Sequence, residues 1–308
     1  MHNTSGRWKL GLTLALTTSL MWGALPIALK GLLQDLDSVT ITWSRFIFAF
    51  IILAIFLTYK KRLPSKEILN KKYVLVLLFV AILGLLANYI LYMFGLEYST
   101  PESAQLMIQV APMLLLIGGI VIFKESFNKW QAFGFFGFVL GLVLFFNHRL
   151  VELSSLDNDY GFGIFLIFIA ALNWATYALV QKQLLKHLSS EQVMFIIFVF
   201  GSMLFLPNST PFEILKLDGL GWALLIFCGI NTLIAYGAFA ESLVHMEASR
   251  VSAVLAVTPL FTLCFMHLTH FYFPDYIQTE NLNSLSIVGA ILVVVGSAGV
   301  ALIRSKKK

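Results

Sequence analysis

Apolar residues gather into ten runs separated by short polar gaps. The runs cover residues 10–29, 41–59, 74–94, 103–123 and 130–146, then 161–180, 190–206, 220–240, 249–271 and 285–303. A bilayer core about 30 Å thick calls for about 20 residues of helix. Most of the runs reach or approach that length, and the fifth and seventh are shorter. Backbone groups in hydrocarbon must hydrogen-bond within their own segment, so the runs predict helices rather than open strands. No ten-residue alternation suggests a barrel. The expected fold class is an all-α integral membrane protein with ten transmembrane helices.

Composition agrees with this pattern. Of 308 residues, 59% are hydrophobic and only 12% charged, about half the charge of a soluble domain. A cytosolic enzyme, a secreted domain and a disordered chain are excluded on that ground. The net charge of +5 reads as topology rather than nucleic-acid binding, because the basic residues sit in the gaps. One alternate set of gaps holds 17 Lys and Arg residues, including Arg7, Lys9, Lys60, Lys61, Arg62, Lys71, Lys72, Lys182 and Lys186. The other set holds three, Lys30, Arg149 and Lys216, together with the acids Asp35, Asp37, Glu97, Glu102, Asp157, Asp159, Asp275 and Glu280. The positive-inside rule then places both termini in the cytoplasm and requires an even number of spans. The first run is longer than a signal-peptide core and lacks a small-x-small cleavage site, so it is expected to remain as the first helix. Cys228 and Cys264 both lie within apolar runs and form neither a metal spacing nor a disulfide framework.

The chain also matches itself. Met21-Trp22-Gly23-Ala24 pairs with Asn173-Trp174-Ala175-Thr176 at an offset of 152 positions. Tyr89 and Pro112 pair with Tyr236 and Pro259 at 147, and Glu125, Gly134 and Gly141 pair with Glu280, Gly289 and Gly296 at 155. The change of offset places an eight-residue insertion near residues 271–278. Two five-helix units are expected, residues 1–150 and 151–308. Five is odd, so the second unit enters the membrane from the opposite side, an arrangement found in secondary transporters.

Polar side chains deep in a span usually face the interior or a wet cavity. Asn88 and Tyr92 share one face of the third span, Gln105 and Gln109 one face of the fourth, and Asn173 and Tyr177 one face of the sixth. Trp22 and Trp174 sit near mid-span. These residues are candidates for a substrate cavity. The same amides could instead tie helices together at about 0.6–2 kcal/mol each, and both readings stay open. Arg45 is expected to snorkel or to pair with an outer acid such as Asp37, with contact to an anionic substrate group as the alternative. Glu241 and His245 are expected at the interface, with proton coupling as the sharper alternative. His267 and His270 are also expected there. Pro26, Pro112 and Pro259 can kink their helices. The glycines of spans five and ten allow close packing of those spans, either on each other or on a partner subunit. No zinc-protease, nucleophile-elbow or Walker signature occurs. No cofactor and no enzymatic activity are expected.

Several of these features together carry a family likeness. Trp22-Gly23, Arg45-Phe46, Ala111-Pro112, Lys124-Glu125 and the Glu125-x8-Gly134 spacing recur in part as Thr258-Pro259 and Glu280-x8-Gly289. The chain resembles EamA-type permeases of the drug/metabolite transporter superfamily. That resemblance implies a bacterial inner-membrane permease with two inverted five-helix repeats. It also implies a cavity lined by spans 1, 3, 4, 6, 8 and 9, placing Trp22, Asn88, Tyr92, Gln105, Gln109, Trp174, Tyr177 and Tyr236 around it. The second half has no basic residue matching Arg45, and Glu280 follows a longer loop. Distant relatives carry nucleotide sugars and triose phosphates, so the resemblance leaves the substrate open. The expected function is export or permeation of small metabolites such as amino acids, by alternating access. The expected partners are a small solute and the lipid bilayer, without nucleic acid, and a homodimer stays open. The competing readings are a membrane sensor or scaffold and an intramembrane enzyme.

Overall fold

In the structure, a computed structural model, residues 7–123, 128–246 and 248–302 are described. Glu125, half of one repeat match, lies outside them, as does Lys124. The first half contains α1 (Trp8–Leu32), α2 (Ser38–Tyr59), the single turn α3 (Lys66–Leu69), α4 (Lys72–Glu97), α5 (Pro101–Met107), α6 (Val110–Phe123) and α7 (Lys129–Phe145). A short α8 (Leu150–Leu153) leads to α9 (Asp159–Leu184), α10 (Ser190–Phe205), α11 (Gly219–His245), α12 (Ala248–Leu255), α13 (Thr258–Tyr272) and α14 (Ser284–Leu302). Among the described residues nine helical segments are long and apolar enough to cross a membrane, and Lys129–Phe145 is a shorter apolar helix. Large apolar side chains such as Ile55, Phe79, Val121 and Phe133 point outward, as a lipid-facing surface requires.

The fourth and ninth predicted runs are each broken. Pro112 has no N–H for the Ile108 carbonyl, and Pro259 has none for the Leu255 carbonyl. The chain turns at both places. The Ile108 carbonyl accepts instead from the Ala111 N–H at 2.9 Å, and the Leu255 carbonyl from the Thr258 hydroxyl at 2.6 Å.

The most extensive helix contacts are α7 with α14, α4 with α9, α1 with α11 and α2 with α10. The α7–α14 contact is built on glycine. A Cβ on Gly141 would stand 2.8 Å from the Gly289 carbonyl oxygen, and one on Gly134 would stand 3.1 Å from that of Gly296. These glycines are used between two helices of one chain. Amide and hydroxyl ties close the other pairs. Asn88 donates to the Ala170 carbonyl at 2.9 Å, joining α4 to α9. Thr18 donates to the Ala235 carbonyl at 3.1 Å, and Asn231 to the Met21 carbonyl at 2.6 Å, joining α1 to α11.

One end of the bundle carries Lys60, Lys61, Arg62, Lys71, Lys72, Lys182 and Lys186, and we call it the basic end. The other carries Asp35, Asp37, Glu97, Asp157, Asp159 and Glu280, and we call it the acidic end. The core differs between them. Toward the acidic end one buried cluster runs through α1, α2, α4, α5, α9 and α11 and reaches α7 and α14, with Leu32, Ile41, Leu96, Leu106, Ile167 and Cys228 among its members. Toward the basic end the core divides. One cluster joins α2, α4, α9 and α10 through Phe46, Leu85, Leu184 and Ile197. A separate small one joins α1, α11 and α12 through Ala15, Met246 and Val251.

The glycine contact is directly testable. A leucine at Gly141 drives a side chain into the α14 backbone, and overpacking of this kind costs about 1–3 kcal/mol. Gly141→Leu is expected to lower the melting temperature in detergent, whereas Gly137→Ala, with nothing within 4 Å of the new Cβ, is expected to leave it unchanged or raise it. Equal melting temperatures for Gly141→Leu and the wild type would contradict the packing.

Candidate functional site

Toward the basic end, the seam where α2 and α10 meet α11 holds a cavity of about 280 Å³. Its walls are Leu53 of α2, Met194 and Phe198 of α10, and Thr232, Leu233, Tyr236 and Gly237 of α11. Its rim is formed by Ser190, Glu191 and Glu241, the two glutamates being exposed. From Thr232 to Glu241 the wall descends nine residues of helix, about 13 Å at 1.5 Å per residue. His245 lies buried one turn beyond, 3.1 Å from the Glu241 carboxylate. His267 and His270 are exposed.

The inner end of the cavity meets a cluster of aromatic rings. Tyr236 packs edge-on against Trp22, with ring centroids 5.3 Å apart, and Phe239 follows at 5.9 Å. Pro26 leaves the Trp22 carbonyl without its usual helical donor. The Tyr89 hydroxyl is sealed and, among the described residues, makes no hydrogen bond, with Thr232 and Tyr236 as its polar neighbours. Its ring packs at a tilt against Phe46, with centroids 4.7 Å apart. Trp174 and Tyr236 flank the same basic-end core. Tyr177, a buried member of that core, donates to the Met194 sulfur at 3.2 Å.

The nine candidate residues do not all meet. Trp22, Tyr177 and Tyr236 belong to this aromatic group, with Trp174 at its edge. Tyr92 packs on the acidic-end core instead. Asn88 uses its amide on the Ala170 carbonyl, and Asn173 bonds its own helix at the Ile169 carbonyl, 2.9 Å away. Gln105 and Gln109 are less than a tenth exposed. Among the described residues neither amide makes a hydrogen bond, and neither is sealed from accessible space. Gln109 occupies the break before Pro112.

Arg45 is placed differently from the expectation. Its side chain does not reach the outer face and does not pair with Asp37. It is 5% exposed, donates through Nε to the Thr232 hydroxyl at 3.2 Å, and lies 4.7 Å over the Tyr89 ring. Asp37 is taken up in capping α2. It accepts from the Val39 and Thr40 N–H groups, each at 2.9 Å, and from the Thr40 and Thr210 hydroxyls. Burial alone would raise its pKa, but these bonds hold the carboxyl below the usual range. Sequence spacing held one clue. The positions three and four residues from Arg45 are Ile41, Thr42, Phe48 and Ala49, so no acid on its own helix can reach it.

A second buried group entered the sequence reading only as an acid of the gaps and a repeat match. Glu280 is buried at the acidic end. One carboxylate oxygen accepts from Ser103 at 2.6 Å, Thr100 at 3.0 Å and Tyr160 at 3.1 Å. The other accepts from Arg149 Nε at 2.7 Å and lies 3.4 Å from His148. The Glu280 N–H donates to Glu102 at 3.3 Å. Residues from α5, α9 and the loops before α8 and α14 are thereby clasped together. Nearby, Lys30 donates to the Leu96 and Glu97 carbonyls at 2.8 and 2.7 Å, and Ser38 to the Glu97 carboxylate at 3.0 Å. Burial pushes the Glu280 carboxyl upward, but the bonds from Ser103, Arg149 and Thr100 and the charge of Arg149 outweigh it and hold the pKa below 4.5.

The clasp therefore carries a pH signature. A depressed carboxyl pKa adds stability that is present above the ordinary value of 4.5 and is lost as pH falls through the folded-state value. The wild type is expected to lose more melting temperature between pH 7 and about pH 3 than Glu280→Gln does, and equal losses would contradict the assignment. At neutral pH, Arg149→Ala strands the carboxylate and is expected to cost about 3 kcal/mol in an unfolding measurement.

Comparison with known proteins fits this architecture. The EamA-like transporter family matches residues 9–147 and, a second time, 161–302. The chain is 40% identical over 288 residues to an Escherichia coli K12 protein described as an uncharacterized inner membrane transporter, YhbE, covering 94% of this chain and 90% of that one. It is 37% identical to an uncharacterized transporter of Haemophilus influenzae, covering 94% and 93%. A solved crystal structure aligns with a TM-score of 0.65 at 15% identity over 95% of this chain and 97% of that chain, a likeness of fold alone. With a cavity on the seam of an apolar bundle, and with the family matching along nearly its whole length, the chain belongs to the EamA-like transporter family and is a membrane transporter.

Proposed function

We propose that this transporter is a secondary permease that moves small metabolites of amino-acid size by alternating access. The moving parts are two inverted repeats, residues 1–150 and 151–308, and ten spans, with Lys129–Phe145 as the short fifth. The observation that carries the reading is the asymmetry of the core. One buried cluster and the Glu280 clasp hold the acidic end, with a smaller cavity of about 140 Å³ beside Lys30 and Glu97, whereas toward the basic end the larger cavity between α2, α10 and α11 reaches Tyr236 of the aromatic cluster. That is the form of a carrier open to one side.

The contacts support the exchange of halves. Shifts of 152 and 147 positions carry the Asn88–Ala170 tie onto the Ala235–Thr18 tie, with the donor on the opposite partner. The same exchange carries the Gly134–Gly296 contact onto Gly289–Gly141. Breaks before Pro112 and Pro259 fall at corresponding places and would serve as hinges. In the alternate state the clasp around Glu280 opens and the basic-end seam closes. The Lys and Arg excess places the basic end, and both termini, in the cytoplasm, so the cavity faces inward. A cavity of about 280 Å³ lies just under the roughly 300–1,000 Å³ of drug-sized ligand pockets, which favours a small solute. A scaffold would have a filled core along this seam.

Purified protein in proteoliposomes is expected to move labelled amino acids, with Trp22→Ala and Gln109→Leu each reducing the flux. Unchanged flux in both variants would place the pathway elsewhere. Reporter fusions are expected to put both termini in the cytoplasm, and opposite locations would sink the inverted-repeat arrangement.

A further inference from the structure

Arg45 is a permanent cation set seven residues into α2, about 10 Å from the helix start. It is withdrawn from water, and among the described residues no carboxylate lies within ion-pair distance of it. Removing a guanidinium from water costs several kcal/mol unless an opposite charge compensates it. The contact with the Tyr89 face returns about 0.5–2 kcal/mol, and the bond to Thr232 is a neutral acceptor. The other groups around it, Tyr92, Cys228 and Tyr236, carry hydroxyl or thiol groups and no charge. The acids at the acidic end have partners of their own, Asp37 in the α2 cap, Glu97 with Ser38 and Glu280 with Arg149. Only Nε is used. Among the described residues the two terminal nitrogens make no hydrogen bond, yet neither is sealed, so both keep accessible surface. Thr232, which holds Nε, also forms the inner wall of the cavity.

We propose that the missing counter-charge is the carboxylate of the transported solute, received by the two free nitrogens of Arg45. The inference rests on the transporter reading above and assigns its substrate class. The planar fork of a guanidinium matches a carboxylate in a two-bond geometry. A phosphate dianion would call for a second cation. The other basic residue of α1 and α2 near this level, Lys30, is tied to the Leu96 and Glu97 carbonyls. Trp22, Phe239 and Tyr236 present ring surface beside the same cavity wall, which suits an apolar body behind the charged head. The substrate class is therefore a small amphipathic monocarboxylate, zwitterions included.

The test is binding to purified full-length protein in detergent, read by tryptophan fluorescence and by melting temperature. The probes are leucine, isocaproate, leucinamide, isoamylamine and inorganic phosphate. Leucine and isocaproate are expected to bind, and the amide, the amine and phosphate are not. Arg45→Gln is expected to weaken carboxylate binding roughly ten- to a hundredfold, the loss for a charge-assisted bond, with Arg45→Lys intermediate. A purely structural arginine would lower the melting temperature when replaced. Here Arg45→Gln without ligand is expected to melt no lower than the wild type, since it removes an uncompensated charge. Should Arg45→Gln fail to fold, Thr232→Val is the second variant, expected to weaken carboxylate binding while keeping the wild-type melting temperature. Equal binding of leucinamide and leucine, unchanged affinity in the variants, or no response of the wild type to either carboxylate would overturn the proposal. The two readings fail separately. Carboxylates that bind through Arg45 but are never moved in proteoliposomes would sink transport and leave the site. Flux of a carboxylate-free solute that ignores Arg45 would do the reverse.

Discussion

A charge withdrawn from water inside a bilayer has to be compensated by something close by, and this bundle treats its two most telling buried charges in opposite ways. Glu280 is surrounded by donors from Thr100, Ser103, Arg149 and Tyr160. Arg45 has one hydroxyl and one aromatic face. The first arrangement is complete within the chain and locks elements of both halves together. The second is incomplete among the described residues, and the Thr232 that holds Arg45 lines a cavity. On the proposed transport reading, satisfied charge belongs to the closed end, and unsatisfied charge to the place where a solute would complete the set.

The packing follows the same division. Where α7 meets α14, backbones approach closely because Gly134, Gly141, Gly289 and Gly296 have no Cβ to hold them apart. Rigid contact of this kind suits a fixed support. Toward the basic end, Leu233 and Tyr236 of α11 pack on the α2–α10 cluster, and the cavity opens between them. Dispersion is the main cohesion between helices in lipid. On the proposed mechanism, a cavity that interrupts those contacts lies where the two halves would part at least cost.

The polar residues show how far spacing alone can be taken. Asn88 and Gln105 look alike in the sequence, each an amide deep in an apolar run with a polar partner four residues on. Asn88 faces the Ala170 carbonyl and acts as a tie, whereas the Gln105 amide meets no partner. The helix opposite decides between them, because a tie needs a carbonyl within about 3 Å, and that depends on crossing angle and register. Arg45 followed the same rule. Its own helix offers no acid, which the sequence did say, but whether an acid reached it from another helix was not legible. The Glu280 clasp draws on positions 100, 103, 148, 149 and 160, a set that no local pattern joins.

The hydropathy runs, the basic and acidic ends, the glycine stripes and the positions where proline removes a helix donor were determined by the sequence itself. Each is a property of one segment and its solvent, or of a residue acting on its own backbone. The tertiary structure alone decided which amides tie helices and which face space, which carboxylate is clasped, and that Arg45 is left without a counter-charge. Those outcomes depend on atoms brought together from distant parts of the chain. A hydrogen bond or ion pair forms or fails over a few tenths of an ångström, a margin that helix packing sets and residue order does not record.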